Sequence, residues 1–433
     1  MKPVSHVHTS NGSARPAVGD AGGTRVQPAG PSRHSSSEGA SPAKRPPERP
    51  RPLHHPGTSP AHCVVLELAD HAGLAIDGPN PWDIQVHDER FYKRVVRGGP
   101  LGLGESYVDG WWDGERLDET FHRLLRPDVR AAVRRAIRSP RTLLQALTAR
   151  LGDRTRLSRA FEVGQRHYDL GNDLFEAMLD RRMVYTCAYW AEADTLDAAQ
   201  EAKLDLVCRK LGLKPGDRVL DVGCGWGSFL AYAAERYGAQ GVGITVSEEQ
   251  VAFARARLQG LPIEVRLQDY RAFEEPEPFD HVVSLGMFEH VGVKRYRTFM
   301  DVVRRHLKDD GLFLLHTIGG NHSTRSTDPW IERYIFPNSV LPSIRQIGRA
   351  TEGRFVMEDW HNLGAHYDRT LMAWHENVER AWPSLRGRYD ERFRRMWRYY
   401  LLQSAGLFRA RGAQLWQLVL SKNGVPGGYT SVR

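Results

Sequence analysis

The stretch Arg218–Gly238, RVLDVGCGWGSFLAYAAERYG, decides the fold. RVLDV is a short apolar run of strand length. It ends in glycines at alternate positions, Gly223, Gly225 and Gly227, and passes into SFLAYAAERY, where apolar residues recur at helical spacing. Strand, glycine turn and helix open a βαβ unit. The alternation then continues. AQGVGITVS reads as a second strand, EEQVAFARARLQ as a helix that Ser247 can cap, IEVRLQD as a third strand, FDHVVSLGM as a fourth and GLFLLHTI as a fifth. This pattern predicts a doubly wound, mostly parallel α/β sheet. DPWIERYIFPNSVLPS and the aromatic-rich residues 360–418 should add helices and closing strands.

The glycine spacing is G-x-G-x-G, led by Asp221, and not the G-x-G-x-x-G of dinucleotide sites. Small residues let the backbone pass close to a ligand at the carboxyl ends of the strands. A cofactor without a pyrophosphate fits this turn, and S-adenosylmethionine is the usual one. The carboxylate that commonly ends the second strand is missing from GVGITVSEEQ, leaving Thr245 and Gln250 to meet ribose hydroxyls. Asp269 and Tyr270, after the third strand, can bracket an adenine, although Tyr270 could equally be packing.

Two further strand ends carry polar residues. LGMFEHVG places Glu289 and His290 past the fourth strand, and LFLLHTIG places His316 near the end of the fifth. Both follow apolar runs, where an unpaired charge is costly. One such histidine alone would read as a satisfied core residue, whereas Glu289 and His316 at neighbouring strand ends point to a site. Tyr367, in GAHYDRTLMAW, and Cys187, in YTCAYW, are further candidates.

Charge is unevenly spread over the 433 residues, whose net value is +8. Residues 1–60 hold eight basic against three acidic residues, 11 of the 25 prolines, and no Phe, Trp or Tyr. Such a segment cannot offset its ordering entropy by burial and is expected to be a disordered tail. Residues 61–160 read as a small α+β domain, with short strands and turns from about Ala75 to Gly99 followed by amphipathic helices. Residues 121–160 hold eleven arginines against two acids, which suits contact with anionic headgroups or an ordinary solvated helix face. The four cysteines form no C-x-x-C pair and no zinc spacing, so no metal site is expected and a reducing cytoplasm is the expected compartment. No apolar run approaches the roughly 20 residues that cross a bilayer. Nucleic-acid binding would account for the arginines but not for the polar strand ends.

The chain resembles the bacterial cyclopropane-fatty-acyl-phospholipid synthases from about Ala69 to Val419. The resemblance rests on LGLGESYVDGWWD, HYDLGNDLFEAMLD, YTCAYW, LDVGCGWG, MFEHVG, LLHTIG, PSIRQI, FVMEDWHNLGAHYD and GLFRARGAQLWQ, all in family order. It implies a class I S-adenosylmethionine-dependent methyltransferase domain over residues 161–433, behind an N-terminal lipid-binding domain. It also implies methylene transfer to the cis double bond of an acyl chain in a membrane phospholipid, through a carbocation deprotonated by bound bicarbonate. The bicarbonate pocket it implies is Cys187, Glu289, His316, the Ile318 amide and Tyr367, with Tyr185 and Thr186 touching the cofactor. Cys187 is then a pocket wall and weak donor, neither nucleophile nor metal ligand. The expected setting is the inner face of the cytoplasmic membrane, with anionic lipids favoured and a homodimer as the assembly. Ser404, in LLQSAGLFRAR, stands where family members often carry a second cysteine. That departure keeps an inactive lipid-binding homologue as an alternative, beside an enzyme giving a methyl- or methylene-branched chain.

Overall fold

The computed structural model describes residues 59–138 and 171–433. The proline-rich tail and the basic stretch beyond Arg138 therefore lie outside the described residues. The main sheet has seven strands: β1 Arg218–Val222, β2 Gln240–Thr245, β3 Ile263–Leu267, β4 Phe279–Leu285, β5 Leu307–Gly320, β6 Val356–Asn362 and β7 Ala413–Ser421. Their order is β3-β2-β1-β4-β5-β7-β6. Strands β1 to β5 pair in parallel, and β7 runs antiparallel between β5 and β6. The five strands and two intervening helices expected from residues 218–320 are all present. Ser247 caps the helix Glu248–Arg257 by accepting from the Gln250 N–H. The order reverses direction between β1 and β4, so the crevice at their carboxyl ends is the natural ligand position.

The N-terminal segment corrects one expectation. Strand pairing among the described residues there amounts to the two-residue ribbon of Gln85–Val86 with Trp112–Asp113 and a single bridge of Ile76 with Ile84. Residues 90–108 instead form two helices, Arg90–Gly98 and Pro100–Val108. Phe91 with Val95 and Tyr92 with Val96 recur four apart on one helix, and Pro100 opens the next at a position that needs no N–H. The short apolar and aromatic runs there can be read with either period.

Helices Leu117–Leu125 and Pro127–Arg138 follow, and the first packs on the long helix Glu391–Arg409. Gly406 makes that approach possible: a Cβ there would stand 2.6 Å from Phe121 Cβ and 2.8 Å from the Asp118 carbonyl. Arg395 and Arg409 fix the contact, Arg395 donating to the Tyr107 and Trp112 carbonyls and Arg409 pairing with Asp118 and Asp368. One apolar core runs from Phe91, Tyr107, Trp112 and Phe121 to Trp374, Trp397 and Tyr399. Glu391–Arg409 thus presents one face to the N-terminal helices and another, through Tyr400, Gln403 and Ser404, to the cavity described next.

Candidate active site

A cavity of about 700 Å³ opens at the carboxyl ends of the sheet. Tyr185, Thr186, Asp221, Gly223, Gly225, Thr245, Gln250, Asp269, Tyr270, Glu289, His316, Ile318, Tyr367 and Ser404 all line it. Cys187 and Gly227 do not. Gly227 caps the following helix at φ 77°, while Gly223 at 88° and Gly225 at 55° take left-handed conformations that disfavour other residues.

The glycine side of the cavity is built for a ligand with donor groups. Asp221 is buried at the end of β1, and its Oδ1 has no hydrogen-bond partner among the described residues. Burial pushes its pKa up to about 7, against the pull of nearby Lys203. A ligand ammonium or hydroxyl would satisfy that oxygen. Thr245 Oγ1 donates to Gln250 Oε1 at 2.7 Å, so the two expected ribose substitutes form one polar wall. Asp269 caps the turn Tyr270–Ala272 and is paired with Arg271, which holds its carboxyl below the usual range. Tyr270 packs edge-on to Phe299 and faces the cavity at the same time.

The second half of the cavity is deeper and drier. His316 lies directly opposite Gln417 in the β5–β7 ladder, and its Nδ1 is 3.3 Å from Gln417 Nε2. With the amide donating, Nδ1 is the acceptor and Nε2 carries the proton. Nε2 is buried without a partner among the described residues, and burial beside Lys203 and Lys210 holds the ring well below its ordinary pKa. It is a neutral donor. Glu289 stands in the turn Phe288–His290 after β4, and its Oε1 accepts from the Ile318 N–H at 2.6 Å. Its Oε2 is buried and unpartnered, and burial raises the acid to about 7. The Ile318 N–H, expected to face an anion, is therefore committed to Glu289.

Cys187 also departs from expectation. It is wholly buried behind the wall, and its Sγ donates to the Ala188 carbonyl at 3.2 Å. Burial pushes the thiol pKa up, the reverse of what a nucleophilic or metal-binding cysteine needs. Cys208 and Cys224 are likewise buried free thiols. Cys187→Ser should keep activity within about tenfold of the parent, because a hydroxyl can replace a weak buried donor, whereas covalent catalysis would be abolished. Label transfer by the folded variant is the check, and a total loss would contradict this placement.

Three residues escaped the sequence. Lys203 is fully buried, lines the cavity and donates to Thr186 Oγ1 at 2.9 Å. Burial lowers its pKa to about 8. Its signal was a lysine on the buried face of Leu196–Leu211, in phase with Ala199 and Lys210. Gln417, fully buried in β7, orients His316, and Tyr400 meets the Tyr185 hydroxyl at 2.9 Å. Apolar and aromatic residues such as Phe336, Leu371, Leu407 and Phe408 form much of the remaining wall, with Arg295, Asp328 and Gln403 among its polar members.

The strand order, the glycine turn after β1 and the buried acid beside it are those of a class I S-adenosylmethionine-dependent methyltransferase. Solved structures agree. A cyclopropane synthase of Mycobacterium tuberculosis matches at 34% identity and TM-score 0.55, over 62% of this chain and 100% of its own. A mycolic acid cyclopropane synthase complexed with SAH and CTAB matches at 34% identity and TM-score 0.55, over 61% of this chain and 98% of its own. The cyclopropane-fatty-acyl-phospholipid synthase of Escherichia coli (strain K12) is 52% identical over 370 residues, 86% of this chain and 95% of that protein. A probable fatty acid methyltransferase of Pseudomonas putida is 39% identical over 59% of this chain and 68% of its own. The model of the mycolic acid cyclopropane synthetase family matches residues 155–418, and the chain belongs to that family.

Proposed function

We propose that this enzyme is a cyclopropane-fatty-acyl-phospholipid synthase, converting the cis double bond of a phospholipid acyl chain into a cyclopropane ring with S-adenosylmethionine as the one-carbon donor. The observation that carries this reading is that one cavity joins the glycine turn and Asp221 to the dry pair His316 and Glu289. When bound, S-adenosylmethionine supplies an electrophilic methyl group and bicarbonate a proton acceptor. Gly223 and Gly225 admit the cofactor close to the backbone, and Asp221, Thr245, Gln250, Asp269 and Tyr270 offer it polar partners. Tyr185 and Thr186 close its reacting end, with Lys203 fixing the Thr186 hydroxyl.

An alkene is a weak nucleophile, and attack on a methyl group leaves positive charge on the acyl carbon. The rings of Tyr185, Phe336, Tyr367, Tyr400 and Phe408 line the same cavity and can offer electron density to that charge. His316 donates from Nε2 to hold an anion beside the charge, and the Tyr367 hydroxyl is a second donor. Glu289, whose acid form burial extends up towards pH 7, can add a donor at Oε2 while Oε1 holds the Ile318 amide. Cys187 supports this pocket from behind. Ser404 lines the cavity but has no part in proton removal, so its replacement of a family cysteine is tolerated. A 1,2-hydride shift to the cationic carbon before the transferred methyl loses its proton would give a methylene branch instead of a ring, so prompt proton removal from that methyl selects the ring.

The test is label transfer from S-adenosylmethionine to unsaturated phospholipid vesicles in carbon-dioxide-free buffer. The rate should fall there and recover on adding bicarbonate. An unchanged rate would remove bicarbonate from the reading.

Among the described residues no helix is long and apolar enough to cross a membrane. We read residues 61–160 as the lipid-facing domain, working as a homodimer on the inner face of the cytoplasmic membrane. Arg130, Arg134, Arg135 and Arg138 belong to the helix Pro127–Arg138. Replacing all four with Gln should weaken binding to anionic vesicles by on the order of tenfold or more and reduce its salt sensitivity. Affinity for S-adenosylmethionine should not change. Vesicle sedimentation checks this, and parent-like binding would leave the arginines as a solvated helix face.

A further inference from the structure

A second cavity, of about 610 Å³, lies outside the active site and is strongly basic. It is bounded by the helix Tyr296–His306, the loop 321–327 and the helix Ile344–Thr351, which begins within the PSIRQI motif. Arg297, Arg325, Arg345 and Arg349 line it, against the single acid Glu352.

Many arginines elsewhere among the described residues are paired with acids. Arg182 meets Glu201 and Glu235, Arg266 meets Glu264 and Glu275, and Arg409 meets Asp118 and Asp368. None of the four cavity arginines forms an ion pair among the described residues. Arg297 alone has a hydrogen bond, donated to the Arg349 carbonyl at 3.3 Å. Four like charges around one concavity repel each other unless an anion sits among them.

The walls are also fixed in advance. Ser343 and Gln346 form a capping box at the start of the second helix. Gln346 Nε2 reaches the Thr324 carbonyl at 2.9 Å, and the Ser323 and Ser343 hydroxyls meet at 2.7 Å. The loop is thereby tied to the helix, and its hydroxyls stand beside the guanidinium groups. Planar guanidinium forks with adjacent hydroxyls match the oxygens of a phosphate group.

We propose that this cavity binds a phosphate ester. Two features favour one carried on a membrane lipid. Ile344, the chain neighbour of the lining Arg345, is 60% exposed, an apolar side chain that a soluble phosphate would not need. Leu341, only two residues before Ser343, lines the active-site cavity, so one short segment joins the two sites. The proposal concerns binding alone and does not rest on the reaction assigned above.

The test uses the full-length protein and the double variant Arg345→Gln/Arg349→Gln. A charge-matched control, Arg236→Gln/Arg386→Gln, removes exposed arginines elsewhere. Phosphatidylglycerol vesicles and soluble glycerol 3-phosphate are the two probes. The cavity variant should bind the vesicles on the order of tenfold more weakly than the parent, with the control within about twofold. If glycerol 3-phosphate binding is lost while vesicle binding is kept, the site stands and its ligand is a soluble phosphate ester. If neither probe distinguishes the cavity variant from the control, the proposal is overturned. Thermal melting confirms that the variant is folded, and Arg325→Gln on the loop provides a second variant if it is not.

Discussion

His316→Ala is expected to lower turnover by about 10²–10³-fold and to leave the affinity for S-adenosylmethionine within about twofold of the parent. The split follows from position. His316 lies in β5, turned by Gln417 so that its proton sits on Nε2, and that nitrogen has no partner among the described residues. A neutral donor held there costs no reorganisation when charge develops, and alanine removes it without disturbing the glycine turn after β1. Glu289→Ala should lose a comparable factor, because it frees the Ile318 N–H and removes the polar group at Oε2 together. Turnover and equilibrium binding, measured on the same preparations, separate the two effects. Parent-like turnover in either variant would remove that residue from the reacting centre.

Arg409→Met should cost about 2–4 kcal/mol of stability, the largest effect expected for a residue outside the cavity. Asp118 is 2% exposed and is held by Arg409 from one side and Arg116 from the other. Arg409 also makes two hydrogen bonds to Asp368, beside Tyr367. Methionine keeps the apolar stem but leaves two acids short of their shared cation. Arg116 is more exposed and still reaches Asp118, which places the cost below that of a fully orphaned charge. Arg409→Lys should recover only part of it, since an ammonium cannot serve Asp118 and both Asp368 oxygens in one plane. Denaturant midpoints measure the change. A cost under about 0.5 kcal/mol would make this contact an ordinary surface pair.

The sheet was readable because most strands of residues 218–320 are apolar runs ended by a turn or cap, while IEVRL alternates apolar with charged residues, and helix and strand segments follow one another. Ser247, Gly223 and Gly225 carried their own geometry. The N-terminal helices were not readable as such, because Phe91, Tyr92, Val95 and Val96 satisfy either period in so short a run. Within the site, Glu289 and His316 were legible as polar residues at strand ends. Lys203 and Gln417 were not, since a single polar residue inside an apolar pattern does not say which neighbour it will meet. Gln417 finds His316 only through an antiparallel pairing across 101 residues. The commitment of the Ile318 amide to Glu289, and the retreat of Cys187 behind the wall, are matters of side-chain direction that strand assignment cannot supply.

The central claim is that the transferred carbon closes into a ring on an acyl chain. The most direct measurement incubates the enzyme with vesicles of a cis-unsaturated phospholipid and S-adenosylmethionine bearing a trideuterated methyl group. Mass spectrometry and NMR of the released fatty acids then follow the label. The account predicts a product with cyclopropane ring signals in which the added carbon keeps two of its three deuterons. A methyl branch that retains all three, or acyl chains without label, would contradict it.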